Sequence, residues 1–181
     1  MFIFRGITLS DIKLTFSTGD KTFNEINPDG TLTPYIKGDI IEGGLYQTYI
    51  LIREEENNTE VCAILRYCFK EFNELKTEIQ DCSDMKISIK EIEKICKKEN
   101  FQIVYLSRVG ISERKQNKHL SQVVLNFFDF FMFELERNIL IYSKVREGFN
   151  KFLGPLYKTV ASNQDDQWGR YSIFIRLIKR V

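Results

Sequence analysis

Short apolar runs alternate with polar segments of helical period along the whole chain. Residues 2–7 (FIFRGI) form a first run of strand length, and Ser10-Asp11 offers a cap for a short helix over residues 11–16. A break at Thr18-Gly19-Asp20 precedes a second short helix, predicted over residues 21–26. Asn27-Pro28-Asp29-Gly30 reads as a turn, since proline presets φ and glycine admits the left-handed region. Residues 46–53 and 60–69 are rich in β-branched and aromatic side chains. They flank the polar run 54–59 and predict an antiparallel hairpin with a long loop.

Residues 72–100 are polar apart from a few isoleucines, of which Ile89, Ile92 and Ile95 recur with Cys96 at helical spacing. An amphipathic helix over 88–98 follows. Residues 101–111 predict a strongly apolar strand. Residues 119–137 predict the longest helix, with Val123, Val124, Phe127, Phe128, Phe131 and Leu135 on one broad face. A strand over 138–143, a helix over 147–159 and a closing strand over 171–178 complete the order. The fold class expected is α/β: one domain over residues 1–181 with a mixed, mostly antiparallel sheet flanked by helices. Its C-terminal half holds a βαβ unit whose crossover should be right-handed.

Composition narrows the class without naming an activity. The 181 residues are 43% hydrophobic and 28% charged, which excludes a disordered tail and suits a domain with a full core. The longest apolar stretches, near 61–65 and 130–133, are far too short to span a bilayer, and residues 1–5 lack the pattern of a signal peptide. The expectation is a cytoplasmic protein with no membrane partner. Residues 1–100 carry 13 Lys and Arg against 18 Asp and Glu, whereas residues 101–181 carry 13 against 7. A basic C-terminal half suits an anionic ligand, although a total of +1 is weak for a general nucleic-acid binder. Cys62, Cys68, Cys82 and Cys96 fit no zinc spacing, and His119 is the one histidine, so four reduced thiols and no metal are expected.

The strand ending Ser107-Arg108-Val109-Gly110-Ile111 runs into the basic segment 112–118 and then the long helix. A helix N-terminus with Arg114, Lys115 and Lys118 around it suits phosphate. Residues 106–125, LSRVGISERKQNKHLSQVVL, resemble the acetyl-coenzyme A segment of the GNAT acetyltransferase superfamily. That pattern is a strand, Gln or Arg, two residues, Gly, one residue, Gly or Ala, and a helix. Gln116-Asn117-Lys118-His119-Leu120-Ser121 falls on it in register. Residues 16–24 resemble the F-x-C-G-x-x-x-L-N entry of the toxin-like GNAT branch, and residues 46–69 its next two strands. Asn150 to Tyr157 match the family's Asn-x-x-Ala-x-x-x-Tyr helix. Residues 72–100 fall outside the resemblance and read as an insertion, an excursion beyond the shared core.

The resemblance implies acetyl transfer from acetyl-coenzyme A to a primary amine, with a macromolecular acceptor such as aminoacyl-tRNA implied by the toxin-like branch. It implies that backbone groups of Gln116, Asn117, Lys118, His119, Leu120 and Ser121 bind the cofactor, with Asn150 nearby. It sets Val109, Gly110 and Ile111 beside the thioester, where the sheet splays, and makes Tyr157 the proton donor. Both glycines of the family's phosphate loop are replaced, by His119 and Ser121. A side chain hinders close backbone approach at such positions. A GNAT-like domain without catalysis, serving as a binding or accessory module, therefore stands as the alternative. Glu71 and Glu113 are the candidate general bases, and Asp165, Asp166 and Trp168 the candidate edge of an acceptor site. A protein partner and a homodimer are left open.

Overall fold

The computed structural model describes residues 1–8, 11, 24–26, 32–34, 46–56, 58–112, 118–147, 153, 156–167 and 169–180. Nine strands and three helices are described. They are β1 (Phe2–Gly6), β2 (Asn24–Ile26), β3 (Leu32–Pro34), β4 (Gln47–Glu55), β5 (Asn58–Lys70), α1 (Phe72–Ile79), α2 (Ile89–Glu99), β6 (Gln102–Ile111), α3 (Lys118–Glu134), β7 (Ile139–Arg146), β8 (Lys158–Asp166) and β9 (Gly169–Ile178). Seven strands form one mixed, mostly antiparallel sheet in the order β1-β4-β5-β6-β7-β9-β8, and β2 pairs with β3 separately. The strand that enters the basic segment, β6, is fourth of seven, well away from either edge. The β6–β7 pair is parallel, with α3 as the crossover predicted for the βαβ unit. Its registered pairs run from Gln102↔Ile139 to Tyr105↔Tyr142 and end before Val109.

The chain divides into two compact units, Met1–Tyr67 with Arg108–Phe127, and Cys68–Ser107 with Phe128–Val181. In the first unit, β1 pairs with β4 from Phe2↔Arg53 to Gly6↔Tyr49, and β4 with β5 from Gln47↔Tyr67 to Glu55↔Asn58. Ile50, Ile52, Val61 and Ile64 form a core against which Ile7 packs. Val61 to Leu65 are buried in succession rather than alternately, as expected of a strand inside a sheet covered on both faces. Cys62 is buried there, Cys68 is buried in the second unit, and no cysteine forms a disulfide. Phe4 stacks on Tyr49 and Phe127, and Tyr49 on Tyr67. The Thr8 backbone N–H and hydroxyl both donate to the Asp11 carboxylate, which also takes two hydrogen bonds from Arg5. The helix expected over 11–16 and its Ser10 cap fall outside the described residues, Asp11 excepted.

In the second unit, Leu75 and Ile79 of α1 and Ile92 and Cys96 of α2 share a core with Ile103, Leu140, Tyr142, Val160, Ile173 and Ile175. Ser88 and Glu91 form a capping box that starts α2, and Asn100 in the left-handed region ends it. The segment joining the helices is tied to β8: Lys86 N–H donates to the Val160 carbonyl, and the Asp84 carboxylate accepts from Ser162 and Asn163.

Several expectations are corrected. Residues 72–100 are no excursion: the spacing that marks α2 as amphipathic is there because its apolar face lies in the core. Residues 24–26, expected in a helix, pair as β2 with β3, because strand pairing outweighs weak local propensity. The strands of the first hairpin extend through the polar residues of the expected loop, as far as the Glu55↔Asn58 pair. Helix α3 stops at Glu134, with Glu136 in the left-handed region. Its buried face is Ser121, Val124, Leu125, Phe128 and Met132, while Val123, Phe127, Phe131 and Leu135 are exposed. The helix expected over 147–159 is not present at its described end. Leu153, Leu156 and Tyr157 are non-helical, and β8 starts at Lys158, where Thr159-Val160 favour a strand past the Gly154-Pro155 breaker. Residues 9–10 and 12–23 and the 27–30 turn lie outside the described residues.

Candidate functional site

The first unit supplies the end of β6 and the start of α3. Gly110 is buried, with Val109 and Ile111 half-buried on either side. The Ser112 N–H donates to the Cys62 carbonyl at 2.9 Å, so β5 fixes the point where the chain leaves β6. Gln116 and Asn117 lie outside the described residues, as do Glu113, Arg114 and Lys115. The first turn of α3 begins at Lys118, at the positive end of a 17-residue helix. His119 is exposed, Leu120 half-buried and Ser121 buried. The two residues that replace the family's glycines therefore point differently: serine, small enough to be enclosed, is turned into the fold, and histidine is not.

The second unit supplies Tyr157. It stands just before β8, 7% exposed, and its hydroxyl is buried with no hydrogen-bond partner among the described residues. Asp129 of α3 and Arg176 of β9 lie with it. The Arg176 Nη1 donates to the Asp129 Oδ2, and the guanidinium carbon is 5.6 Å from the Tyr157 ring centroid. The second carboxylate oxygen of Asp129 is also buried without a partner among the described residues. Burial, helped by the Asp129 charge, pushes the Tyr157 phenol well above its ordinary range, and Arg176 opposes that shift. Burial likewise raises the Asp129 carboxyl against the pull of Arg176.

Asp129 and Arg176 were missed by the sequence reading. The signal was there: Asp129 is the lone charge in FFDFFMF, and Arg176 the lone charge in SIFIRLI. A charge inside an apolar run is seldom buried unless paired. What the sequence withholds is that these two charges, 47 positions apart, pair with each other.

The other candidates have structural duties. Glu71 is the exposed residue that starts α1, its N–H donating to Glu74. Asp166 holds Arg146 through two hydrogen bonds, and Asp165 faces Arg170 across the β8–β9 hairpin, where Gly169 takes φ 104°. Asn150 and Trp168 lie outside the described residues. An open groove of about 790 Å³ in the second unit is lined by Lys70, Glu71, Lys97, Gln102 and Arg137 among others. It sits at the Gln102 end of β6, holds Glu71 but none of the residues expected to bind the cofactor or to donate the proton, and its charges are shared between both signs. Among the described residues no cluster of His, Cys, Asp and Glu is placed to hold a metal, and no helix is long and apolar enough to cross a membrane.

No protein-family model matches the chain, and no curated protein sequence matches it. Solved structures do. Arabidopsis thaliana NAA60 in complex with acetyl-CoA matches at TM-score 0.63 and 12% identity, covering 98% of this chain and 99% of its own. The ribosomal-protein-S18-alanine N-acetyltransferase from Escherichia coli matches at 0.57 and 10%, covering 100% and 96%. A bacterial toxin matches at 0.62 and 14%, covering 98% and 91%. With its strand order and its parallel β6–β7 pair joined by α3, the chain has the fold of the GNAT N-acetyltransferases.

Proposed function

We propose that this protein transfers an acetyl group from acetyl-coenzyme A to a primary amine, with Tyr157 as the proton donor. The observation that carries the reading is the Tyr157 hydroxyl, buried without a hydrogen-bond partner among the described residues on a GNAT fold. An orphaned buried donor is costly, and such groups persist where a reaction uses them. A phenol suits the task because its ordinary pKa lies well above neutrality, so its proton is still in place when the thiolate departs.

The N-terminus of the 17-residue α3 supports a place for the cofactor's pyrophosphate. Backbone groups of Lys118 to Ser121 at the start of α3 would hold the pyrophosphate, aided by the helix dipole, together with Gln116 and Asn117 as the resemblance implies. Backbone groups of Val109 to Ile111 would lie along the thioester, and Asn150 near the cofactor. When bound, acetyl-coenzyme A supplies an activated acyl thioester. The amine must arrive neutral to act as nucleophile; the protein's part is to keep it desolvated and to supply the thiolate's proton. A macromolecular amine, such as aminoacyl-tRNA, is the acceptor class that the toxin-like resemblance of residues 16–24 implies. Four reduced thiols support a cytoplasmic setting.

The test is calorimetry with acetyl-coenzyme A, followed by thiol release with a panel of amines and charged tRNA. Tyr157→Phe should retain cofactor affinity and lose turnover by roughly 10²–10⁴-fold. Binding without turnover on any acceptor would favour the accessory-module reading, and no binding at all would defeat both the cofactor and the enzyme.

A further inference from the structure

We propose that Asp129 and Arg176 are a positioning pair for Tyr157: Arg176, fixed by Asp129, holds its positive charge against the phenol, so that the ring can release its proton and carry the negative charge left behind. The inference rests on the reading of Tyr157 as proton donor, and adds two residues that the resemblance does not supply.

Three observations meet at this point of the second unit. The Arg176 guanidinium is bonded to the Asp129 carboxylate, and both side chains are mostly buried, so neither charge is screened by bulk water. The guanidinium carbon stands 5.6 Å from the Tyr157 ring centroid, close enough for a cation to act on the ring and its oxygen. The Tyr157 hydroxyl and the Asp129 Oδ1 are both buried without partners among the described residues.

The chemistry follows from the charges. In the step assigned to it, the phenol O–H bond breaks and an S–H bond forms on the departing thiolate, leaving a phenolate that solvent later reprotonates. Burial and the Asp129 charge both oppose that phenolate; Arg176, from β9, is the group that favours it. Asp129, from α3, and Arg176 are the charged groups that act on the phenol among the described residues. Asp129 thus acts against the phenolate directly and for it indirectly, by keeping the guanidinium in place.

The experiment measures ionisation in the ligand-free protein and does not depend on turnover. A fluorinated tyrosine that ionises near neutrality is placed at position 157 and its titration followed by ¹⁹F NMR. Arg176→Gln, which can still donate to Asp129 without the charge, should raise the midpoint by about one pH unit or more, a tenfold change in ionisation constant. Arg176→Lys should restore most of it, and Asp129→Asn, which keeps an acceptor, should lower it. Midpoints unmoved in folded Arg176→Gln would overturn the pairing. If that variant does not fold, an unmoved midpoint in Asp129→Asn does the same. Failure of the acetyltransferase reading is seen separately, as absence of acetyl-coenzyme A binding by the unmodified protein.

Discussion

Replacing Ile92 by alanine tests whether residues 72–100 belong to the core that holds β7 and β9. Ile92 is fully enclosed in α2 and shares its cluster with Leu75 and Ile79 of α1, Ile103 of β6, Leu140 and Tyr142 of β7, and Ile173 and Ile175 of β9. The change removes three carbons, worth about 2.4 kcal/mol at roughly 0.8 kcal/mol per methylene, before any cavity is counted. Incomplete collapse around the void brings the expected cost to about 2–5 kcal/mol, and the better helix propensity of alanine returns only a few tenths. About 3 kcal/mol in a chain of this size lowers Tm by roughly 6–12 °C. Urea unfolding followed by circular dichroism gives the stability change, and amide hydrogen exchange shows where it is felt. Protection should fall along Ile139–Arg146 and Gly169–Ile178 as well as along α2, because the side chain bridges those elements. Lys94→Ala, on the exposed side of the same helix, should stay within about 0.5 kcal/mol of the parent. A loss under about 1 kcal/mol, or exchange changes confined to residues 72–100, would refute the reasoning and restore the picture of a dispensable excursion.

Three further predictions follow from other parts of the fold. Burial alone would raise the Asp11 carboxyl, but hydrogen bonds from Arg5 and Thr8 outweigh it and hold the group below the ordinary carboxylate range. Its contribution is therefore full at neutral pH and is lost as pH falls through the lowered value; Asp11→Asn should cost roughly 1–3 kcal/mol at neutral pH and converge with the parent in acid, read from urea midpoints. Ser88→Ala removes the α2 cap and should cost about 1 kcal/mol by the same assay, with α2 amides losing protection first. The double change His119→Gly and Ser121→Gly should cost about 1–2 kcal/mol of stability from two helical glycines. Since Ser121 is turned into the fold and His119 is exposed, calorimetry should find the acetyl-coenzyme A affinity altered less than tenfold; a hundredfold gain would show that the native side chains obstruct the cofactor.

Where one physical effect dominates, the chain could be read directly. Strands β4, β5 and β6 are legible because burial inside a sheet demands β-branched and aromatic residues that no helix would collect in such runs. Helix α2 is legible because Ile92 and Cys96 must return to one face every turn. The faces of α3 were harder to assign. A helix with Phe127, Phe128, Phe130, Phe131 and Phe133 is apolar nearly all round, so periodicity cannot tell which phenylalanine the sheet covers. Strand β8 was unreadable for the opposite reason. Its register shifts at Thr159 and Ala161, and Asn163 takes a left-handed φ, so the alternation that marks a strand is broken twice in nine residues.

The candidate chemistry divides along the same line. Tyr157 was named through resemblance to a helical motif, yet it stands at the entrance of a strand, so the local argument for its position does not hold here. What supports it now is environment: a buried hydroxyl, an arginine beside its ring, and an acid that fixes the arginine. None of those properties belongs to tyrosine as a residue type, and a tyrosine with the same neighbours in sequence could equally have packed as a hydrophobe. The family motif records where such a group sits in the chain, whereas its acidity is set by charges that arrive from α3 and β9. A substitution at Asp129 or Arg176 should therefore change what Tyr157 can do while leaving every residue of the resemblance intact. A motif alone would predict no effect from that change, and the electrostatics of the fold predict a tenfold one.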